Sequence, residues 1–556
     1  MQIQRLGLLI LFLFVCSSCS YRIVCVSIFP CANPILGDFR PFNRIVTELA
    51  SRGHEIEMIM FDEYVSWPED LPTIHRMGAG SCPLTKIEEE EFFNAFSQKE
   101  YSDTIEPIIK YFQKYSTALT KEIWNKQEEI EKDLGGKIDA IMFGDVFMLG
   151  STLAERFDVP FIKFHPGSIL DGGLSTNGGI HLHPAQADSI FFPFRYVSMP
   201  HFIERMLNYV FYYFIEYVIT TDIIAFENNF RKEMNFTLIP DDNNYLKNSI
   251  KYSYEHSSLY PIATIVANSP AFTQSVDVPP FVHYVNPILT VPQDIQDVSR
   301  EKYPEIDEII DWINNDDRRI ILMSLSTVAH FSEDGMNAIV NGLSSLNDTT
   351  RVLWVVRDAA RHSFPKNFVI PENFHLARFI PQYESLGHDK IKLFFSVGGI
   401  NSVLESITQG TPILCCGSHF EQDYNCNCIE NLGVGLRLDK QSLTADKVRN
   451  YALFLLEHPE SYSNTIQELG RVFRSGNSTL KAADFIEEAV FIGSNRFLLP
   501  RTVHMNFIER ASWDIIIVLI IIIYIILKTL KKIIFFIIHL ILSFFKNKEK
   551  VKQKPE

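Results

Sequence analysis

The chain lacks a surplus of positive charge. Its 51 Lys and Arg face 67 Asp and Glu, a formal net charge of −16 over 556 residues. No basic stripe crosses its body, and Lys and Arg concentrate only at the extreme C-terminus. That argues against nucleic acid as a partner, since phosphate binding needs clustered cations. Zinc spacing is missing too. Cys415/Cys416 and Cys426/Cys428 form close pairs, but Cys415 and Cys416 sit in an apolar run and neither pair has C-x-x-C spacing. Two of the nine cysteines fall in the first 20 residues, leaving seven. An odd number leaves at least one thiol free or intermolecular in an oxidising compartment, and no disulfide framework can be read from it. There is no internal repeat, which removes solenoid architectures.

Apolar character at the two ends is what stands out first. Arg5 precedes the apolar run Leu6 to Val15, and Ser18 and Ser20 supply small residues before Tyr21. This is the pattern of a secretory signal over residues 1–20. Three sequons, starting at Asn235, Asn347 and Asn477, agree with secretion, although chance supplies about that number in a long chain. Near the other end, Ile515 to Leu527 is almost entirely Ile, Val, Leu and Tyr, with Trp513 before it and Lys528, Lys531 and Lys532 after it. A span needs roughly 20 residues, so 513–530 is expected to cross a membrane once. The basic residues follow it, which puts the tail in the cytosol and the body in the lumen. A second apolar run, Ile533 to Phe545, either lies at the interface or lengthens a tilted span. Residues 531–556 then hold this run and a basic tail.

The body has room for two to three domains and shows two α/β halves, 21–284 and 285–495. In the first, a strand from Arg22 to Phe29 leads through a Pro/Gly loop to a helix carrying Phe42, Ile45, Val46 and Leu49. Glu55 to Phe61 is the next strand. This βαβ unit implies a parallel sheet. Ile138 to Phe143 and Val159 to Phe164 read as further strands. The aromatic-rich stretch Phe191 to Leu238 reads as packed core or as the lining of an apolar pocket. Prolines cluster between Pro279 and Pro292, the expected linker. In the second half, strands are expected at Arg319 to Ser324, Arg351 to Val356, His375 to Phe379, Leu393 to Ser396 and Pro412 to Cys416. The helical run Leu443 to Ile492 is a candidate to return to the first half. Two doubly wound, Rossmann-like domains facing a cleft, plus a C-terminal transmembrane helix, is the expected fold class.

The richest segment is Phe394 to Asn425: strand, Gly-Gly turn, helix, short buried strand, polar loop. Small and polar groups sit where a strand hands over to a helix, and phosphate-bearing ligands dock at such places. Phe379-Ile380-Pro381-Gln382 precedes it. Gly398-Gly399, Asn401-Ser402, Glu405, Gly410-x-Pro412 and Glu421-Gln422 follow in order. Singly, each is an ordinary turn, cap or surface polar group. As an ordered set they resemble the signature of the UDP-glycosyltransferases, and the resemblance extends more loosely over nearly the whole chain. It implies a GT-B fold and a UDP-sugar as co-substrate, with no other cofactor and no metal. It further implies that Phe379 stacks on uracil and Gln382 reads the base edge. Asn401 and Ser402 would bind the α-phosphate, Glu405 the ribose hydroxyls, and Glu421 and Gln422 the sugar. Ser326-Thr327 stands where the family has Gly-Ser near the diphosphate. Val397 stands where it has a diphosphate-binding His.

The resemblance also implies a catalytic His on the loop after the first strand, oriented by an Asp. Counting back from Gly53-His54 puts Asp38 at that position, while Asp145 occupies the place of the orienting Asp. Three readings of Asp38 stay open: a base in place of the His, a helix cap, or a bystander to chemistry that needs no strong base. The expected function is transfer of a hexosyl or glucuronosyl group, with inversion, to a small lipophilic acceptor, on the lumenal face of the endoplasmic reticulum membrane. The alternative is a catalytically silent relative that binds UDP-sugar weakly or partners an active paralogue. Whether the chain forms a homo- or hetero-oligomer is left open.

Overall fold

Runs such as Ile320 to Met323 carry no polar alternation, the mark of strands covered on both faces. The computed structural model describes residues 20–26, 36–62, 74–83, 85, 88, 102–144, 147–167, 222, 224–239, 261–273, 278–289, 295–301, 303–325, 331–356, 364, 369–418, 420–495, 497–498 and 512–552, without the side chains of 36–39, 102–108, 420 and 544–552. Of the expected leader, residues 1–20, only Ser20 is among them.

The first sheet is built from β1 (Arg22–Val26), β2 (Glu55–Met60), β3 (Ile74–Gly78), β4 (Ala140–Gly144), β5 (Phe161–His165), β6 (Ala263–Val266) and β7 (Val282–Tyr284). Its order is β3-β2-β1-β4-β5-β6-β7, and every pairing is parallel. The second sheet comprises β8 (Arg319–Ser324), β9 (Thr350–Val355), β10 (Phe374–Ala377), β11 (Ile391–Ser396), β12 (Ile413–Cys415) and β13 (Gly435–Arg437). It is also wholly parallel, in the order β10-β9-β8-β11-β12-β13. Both sheets reverse direction of growth beside their first strand, at β1/β4 and β8/β11. Ligands of doubly wound folds bind outside the carboxyl ends of the strands at such points.

In the first half, α1 (Leu36–Ser51) lays Phe42, Ile45, Val46 and Leu49 on one face of the sheet. The other face is covered by α2 (Ser102–Trp124), α3 (Gln127–Asp133) and α4 (Gly150–Phe157). The second sheet is wrapped by α5 (Ile306–Asn314), α6 (Glu333–Ser344), α7 (Gln382–Leu386), α8 (Ile400–Gln409), α9 (Phe420–Asn431), α10 (Ala445–Glu457) and α11 (Ser463–Phe473) around one continuous core. Last comes α12 (Ser478–Ile492), whose Ala482, Ala483, Ile486, Ala489 and Val490 join the core of the first sheet. Of the run expected to return, α12 alone does so. α10 and α11 stay with the second sheet because their apolar faces bury Val448, Leu455, Ile466 and Phe473 there. A polar clasp fixes α12: Arg52 reaches Asp484 at 2.7 Å and Glu487 at 2.9 Å, and His54 meets Glu487 at 2.8 Å.

The proline-rich stretch is not simply a linker. β7 lies inside it as an edge strand, where prolines on either side remove no central ladder bond. Val285 and Ile288 after it are still buried in the first core. Of the aromatic-rich stretch, residues 222 and 224–238 are described, and these rings are core. Phe230 packs with Trp124 and Leu149. Beside it the buried Arg231 donates to Thr152 and to the Thr237 carbonyl and pairs with Glu155 at 2.8 Å.

Both sheets belong to one unit of the chain, Met1–Asp241 with Ser257–Leu499. The other unit carries α13 (Trp513–Lys552), an unbroken helix. Trp513–Ser543, 31 residues with an 18-residue window of mean hydropathy 2.5, is long and apolar enough to cross a membrane. At 1.5 Å per residue this stretch is about 46 Å long, more than the roughly 30 Å of hydrocarbon. Lys528, Lys531 and Lys532 do not interrupt it, so the two apolar runs form one helix.

Candidate active site

The sequence motifs converge at the carboxyl ends of the second sheet. β11 ends at Ser396, and the buried Val397 follows. Gly398 turns the chain at φ +84°, a conformation glycine adopts without penalty. The Ser396 hydroxyl accepts from the Gly398 amide at 3.1 Å. Gly399 caps α8 with φ −59° and ψ 127°. Asn401 and Ser402 therefore lie in its first turn, where backbone N–H groups have no intrahelical acceptor and the helix dipole is positive. That is an anion site by construction.

Gln382 opens α7 directly after the Phe379-Ile380-Pro381 segment, with Ile380 sunk in the core. Its amide donates to Ser402 Oγ at 2.9 Å and to Glu405 Oε2 at 2.7 Å. Three sequence-predicted residues thus form one hydrogen-bonded set. Glu405 is buried, 8 % exposed, on α8. Burial pushes its carboxyl above the ordinary range, while Arg40 and Arg44 on α1 and the Gln382 hydrogen bond pull the other way. The two arginines belong to the first half, and α1 contacts α8. Gly167, just past β5, also abuts Ile400: a methyl on it would stand 3.1 Å from the Ile400 side chain.

Beneath the turn, α9 supplies the remaining pieces. Asn425 donates to the Gly398 carbonyl and to Glu421 Oε1, both at 2.9 Å. Gln422 Oε1 accepts from the Ser418 amide at 3.1 Å and from its hydroxyl at 2.6 Å. A disulfide joins Cys415 at the end of β12 to Cys426 on α9, a pairing the cysteine count did not give. Both sulfurs lie against Gly398. Cys25 and Cys416 are buried thiols outside this bridge.

Phe379 is half-buried and stacks on Tyr303, 5.3 Å between centroids and 10° between planes. Neither Tyr303 nor Arg40 emerged from sequence reasoning. Arg40 and Arg44 stand four apart on an amphipathic helix, and that spacing was the only available signal. Ser326 and Thr327 follow β8 but lie outside the described residues, as does Asp145 after β4. Asp38 falls in the first turn of α1, and its side chain is outside the described residues.

Known proteins match this chain along most of its length. UDP-glucuronosyltransferase 2B10 of Homo sapiens is 23% identical over 458 residues, 77% of each chain. Human 2-hydroxyacylsphingosine 1-beta-galactosyltransferase is 27% identical over 285 residues, 50% of this chain and 48% of that one. Among solved structures, a Polygonum tinctorium UDP-glucosyltransferase capable of glucosylating indoxyl, in complex with 3,4-dichloroaniline, superposes with a TM-score of 0.55 at 15% identity, covering 85% of this chain and 99% of its own. The calicheamicin glycosyltransferase CalG4 gives 0.53 at 16%, covering 85% and 99%. These likenesses establish the fold as GT-B. The model of the UDP-glucoronosyl and UDP-glucosyl transferase family matches residues 38–249 and 276–549, and the chain belongs to that family.

Proposed function

We propose that the chain transfers a hexosyl or glucuronosyl group from a UDP-sugar to a small lipophilic acceptor, with inversion at the anomeric carbon. The observation that carries this reading is the hydrogen-bonded set Gln382, Ser402 and Glu405 at the N-terminus of α8. Uracil stacks on Phe379, and the ribose hydroxyls donate to Glu405, which favours its charged form despite burial. The diphosphate takes the first-turn amides of α8 together with Asn401 and Ser402, and Ser326 and Thr327 approach it from the end of β8. Glu421 and Gln422 hold the sugar hydroxyls. The acceptor oxygen attacks the anomeric carbon from the side opposite the diphosphate, which leaves as UDP. Asp38 takes the acceptor proton, oriented by Asp145.

The body works in the lumen of the endoplasmic reticulum after removal of the leader, held by α13, in detoxification or in lipid or hormone metabolism. A signal ahead of the body and basic residues behind the apolar helix support that orientation. Domain limits of 21–284 and 285–495 go with it.

A second reading is favoured by one specific observation. Val397, where the resemblance expects a diphosphate-binding His, is apolar and 1% exposed. A chain with weakened diphosphate binding would serve as a silent partner of an active paralogue. The two readings separate in one assay. Membranes carrying the protein are offered UDP-glucuronic acid and UDP-glucose in turn with mixed phenol and amine acceptors, and UDP release is followed. Acceptor-dependent release supports the transferase and identifies the sugar. No release, with an active relative as positive control, supports the silent partner.

A further inference from the structure

One face of Phe379 is already taken. Tyr303 stands in the turn that leads into α5, its amide donating to the Ser299 carbonyl at 3.0 Å and its carbonyl accepting from Ile306 at 3.1 Å. From there its ring lies almost parallel to Phe379, 10° between planes. Its phenol lies in the field of Arg40 on α1, Glu384 on α7 and Glu405 on α8. Arg40 and Glu384 also act on Glu405 itself. So the tyrosine presents a flat ring to Phe379 and a hydroxyl to the surroundings of a buried carboxylate. A uridine would present the same two features, a ring for Phe379 and hydroxyls for Glu405.

We propose that Tyr303 is a gate on the base-binding ring: its side chain occupies the face of Phe379 that a pyrimidine would take, and a nucleotide must displace it to bind. This rests on the donor-site reading given above. Two aromatic rings cannot share one stacking face, so binding exchanges one stack for another. The apparent affinity is then the intrinsic affinity reduced by the fraction of molecules with the gate open. Tyr303 therefore sets how much of the stacking energy on Phe379 remains for the nucleotide. It is a positioning residue with a negative sign: removing it strengthens binding.

The test is UDP binding to the full-length protein in detergent, measured by calorimetry for the wild type, Tyr303→Ala, Tyr303→Leu, Tyr303→Phe and Phe379→Ala. Tyr303→Leu fills the space without stacking and guards against collapse of the Ala variant. The expected result is tighter binding in Tyr303→Ala and Tyr303→Leu, by about two- to tenfold, the range an aromatic pair of this kind spans. Tyr303→Phe, which keeps the ring, stays near wild type, and Phe379→Ala loses binding. Unchanged or weaker binding in both Tyr303→Ala and Tyr303→Leu, with Phe379→Ala still losing it, overturns the gate and leaves the donor site standing. Binding that survives Phe379→Ala, or that no variant shows, overturns the donor-site reading and the gate with it.

Discussion

Gly398 and Gly399 are neighbours in the same turn, yet a methyl group on each should do opposite things. At Gly398 the backbone has φ +84°, and an added Cβ would stand 2.5 Å from the Gln422 carbonyl oxygen, 2.9 Å from Cys426 Sγ and 3.0 Å from Cys415 Sγ. None of these is the loose end of a flexible side chain. The left-handed conformation costs an alanine roughly 1–2 kcal/mol, and overpacking against a fixed wall costs about 1–3 kcal/mol more. Gly398→Ala is therefore expected to lose about 2–5 kcal/mol. At about 2 °C per kcal/mol, that lowers the apparent melting midpoint by roughly 4–10 °C. Gly399 has φ −59°, and nothing lies within 4 Å of its added Cβ. Gly399→Ala should change stability by less than about 1 kcal/mol, the cost of a poorer cap. Its methyl instead projects into the open space at the start of α8, where a diphosphate must approach. The expected cost is a rise in KM for the UDP-sugar of about tenfold, roughly 1.4 kcal/mol. Thermal unfolding and donor titration of both variants check this. Equal loss of stability in the two, or a stable Gly398→Ala, would refute the reasoning.

Other consequences can be measured independently. If Asp38 is the base, Asp38→Asn lowers turnover about 10²–10⁴-fold and abolishes the acidic limb of the pH profile; superimposable profiles would show that it is not. Glu57 is buried on β2 at 1% exposure, and burial, aided by Asp133 and Glu129, raises its carboxyl to about 8. An acid whose folded pKa is raised contributes stability below its unfolded pKa, and that stability is lost as pH climbs from about 4.5 to about 8. Wild type should lose a few kcal/mol relative to Glu57→Gln over this window, and a constant difference from pH 4 to 8 in chemical denaturation would contradict it. The Cys415–Cys426 disulfide closes a loop of sequence separation 11, which restricts the unfolded chain by about 3 kcal/mol. Cys415→Ala with Cys426→Ala should melt earlier than wild type; a melting point equal to wild type would remove the disulfide from the account.

The fold was legible because its signals are local. The apolar run Arg319 to Ser324 becomes β8 with those same ends, and Ser332 caps α6 by accepting from the Gly335 amide. Both follow from neighbours in the chain: unbroken apolar residues for a buried strand, a short hydroxyl ahead of an amphipathic run for a helix. Edges were harder. β7 is three residues long and flanked by prolines, and nothing in such a stretch separates a strand from a linker. What settles it is the pairing of Thr264 with Val282, a partner eighteen positions away. A return from the run Leu443 to Ile492 was expected, but not that α12 alone would make it, since its Ala-rich apolar face would pack on either sheet. Arg52 and His54, more than 400 positions upstream, complete its attachment.

The same distinction divides the site. Gln382, Ser402 and Glu405 span little more than twenty positions, and two helices packed in the core of the second sheet carry them, so their motif survives in the order of the residues. Tyr303 and Arg40 have no such record. Tyr303 reaches Phe379 from a turn some seventy-five positions earlier, and Arg40 acts on Glu405 from the other half of the molecule. Yet these late arrivals bear on two quantities the donor-site reading depends on: how open the Phe379 ring is to a second ring, and how much positive charge offsets the buried Glu405 carboxylate. A motif records the groups that would touch the nucleotide. The groups that compete with it, or balance its charge, come from wherever the fold brings them.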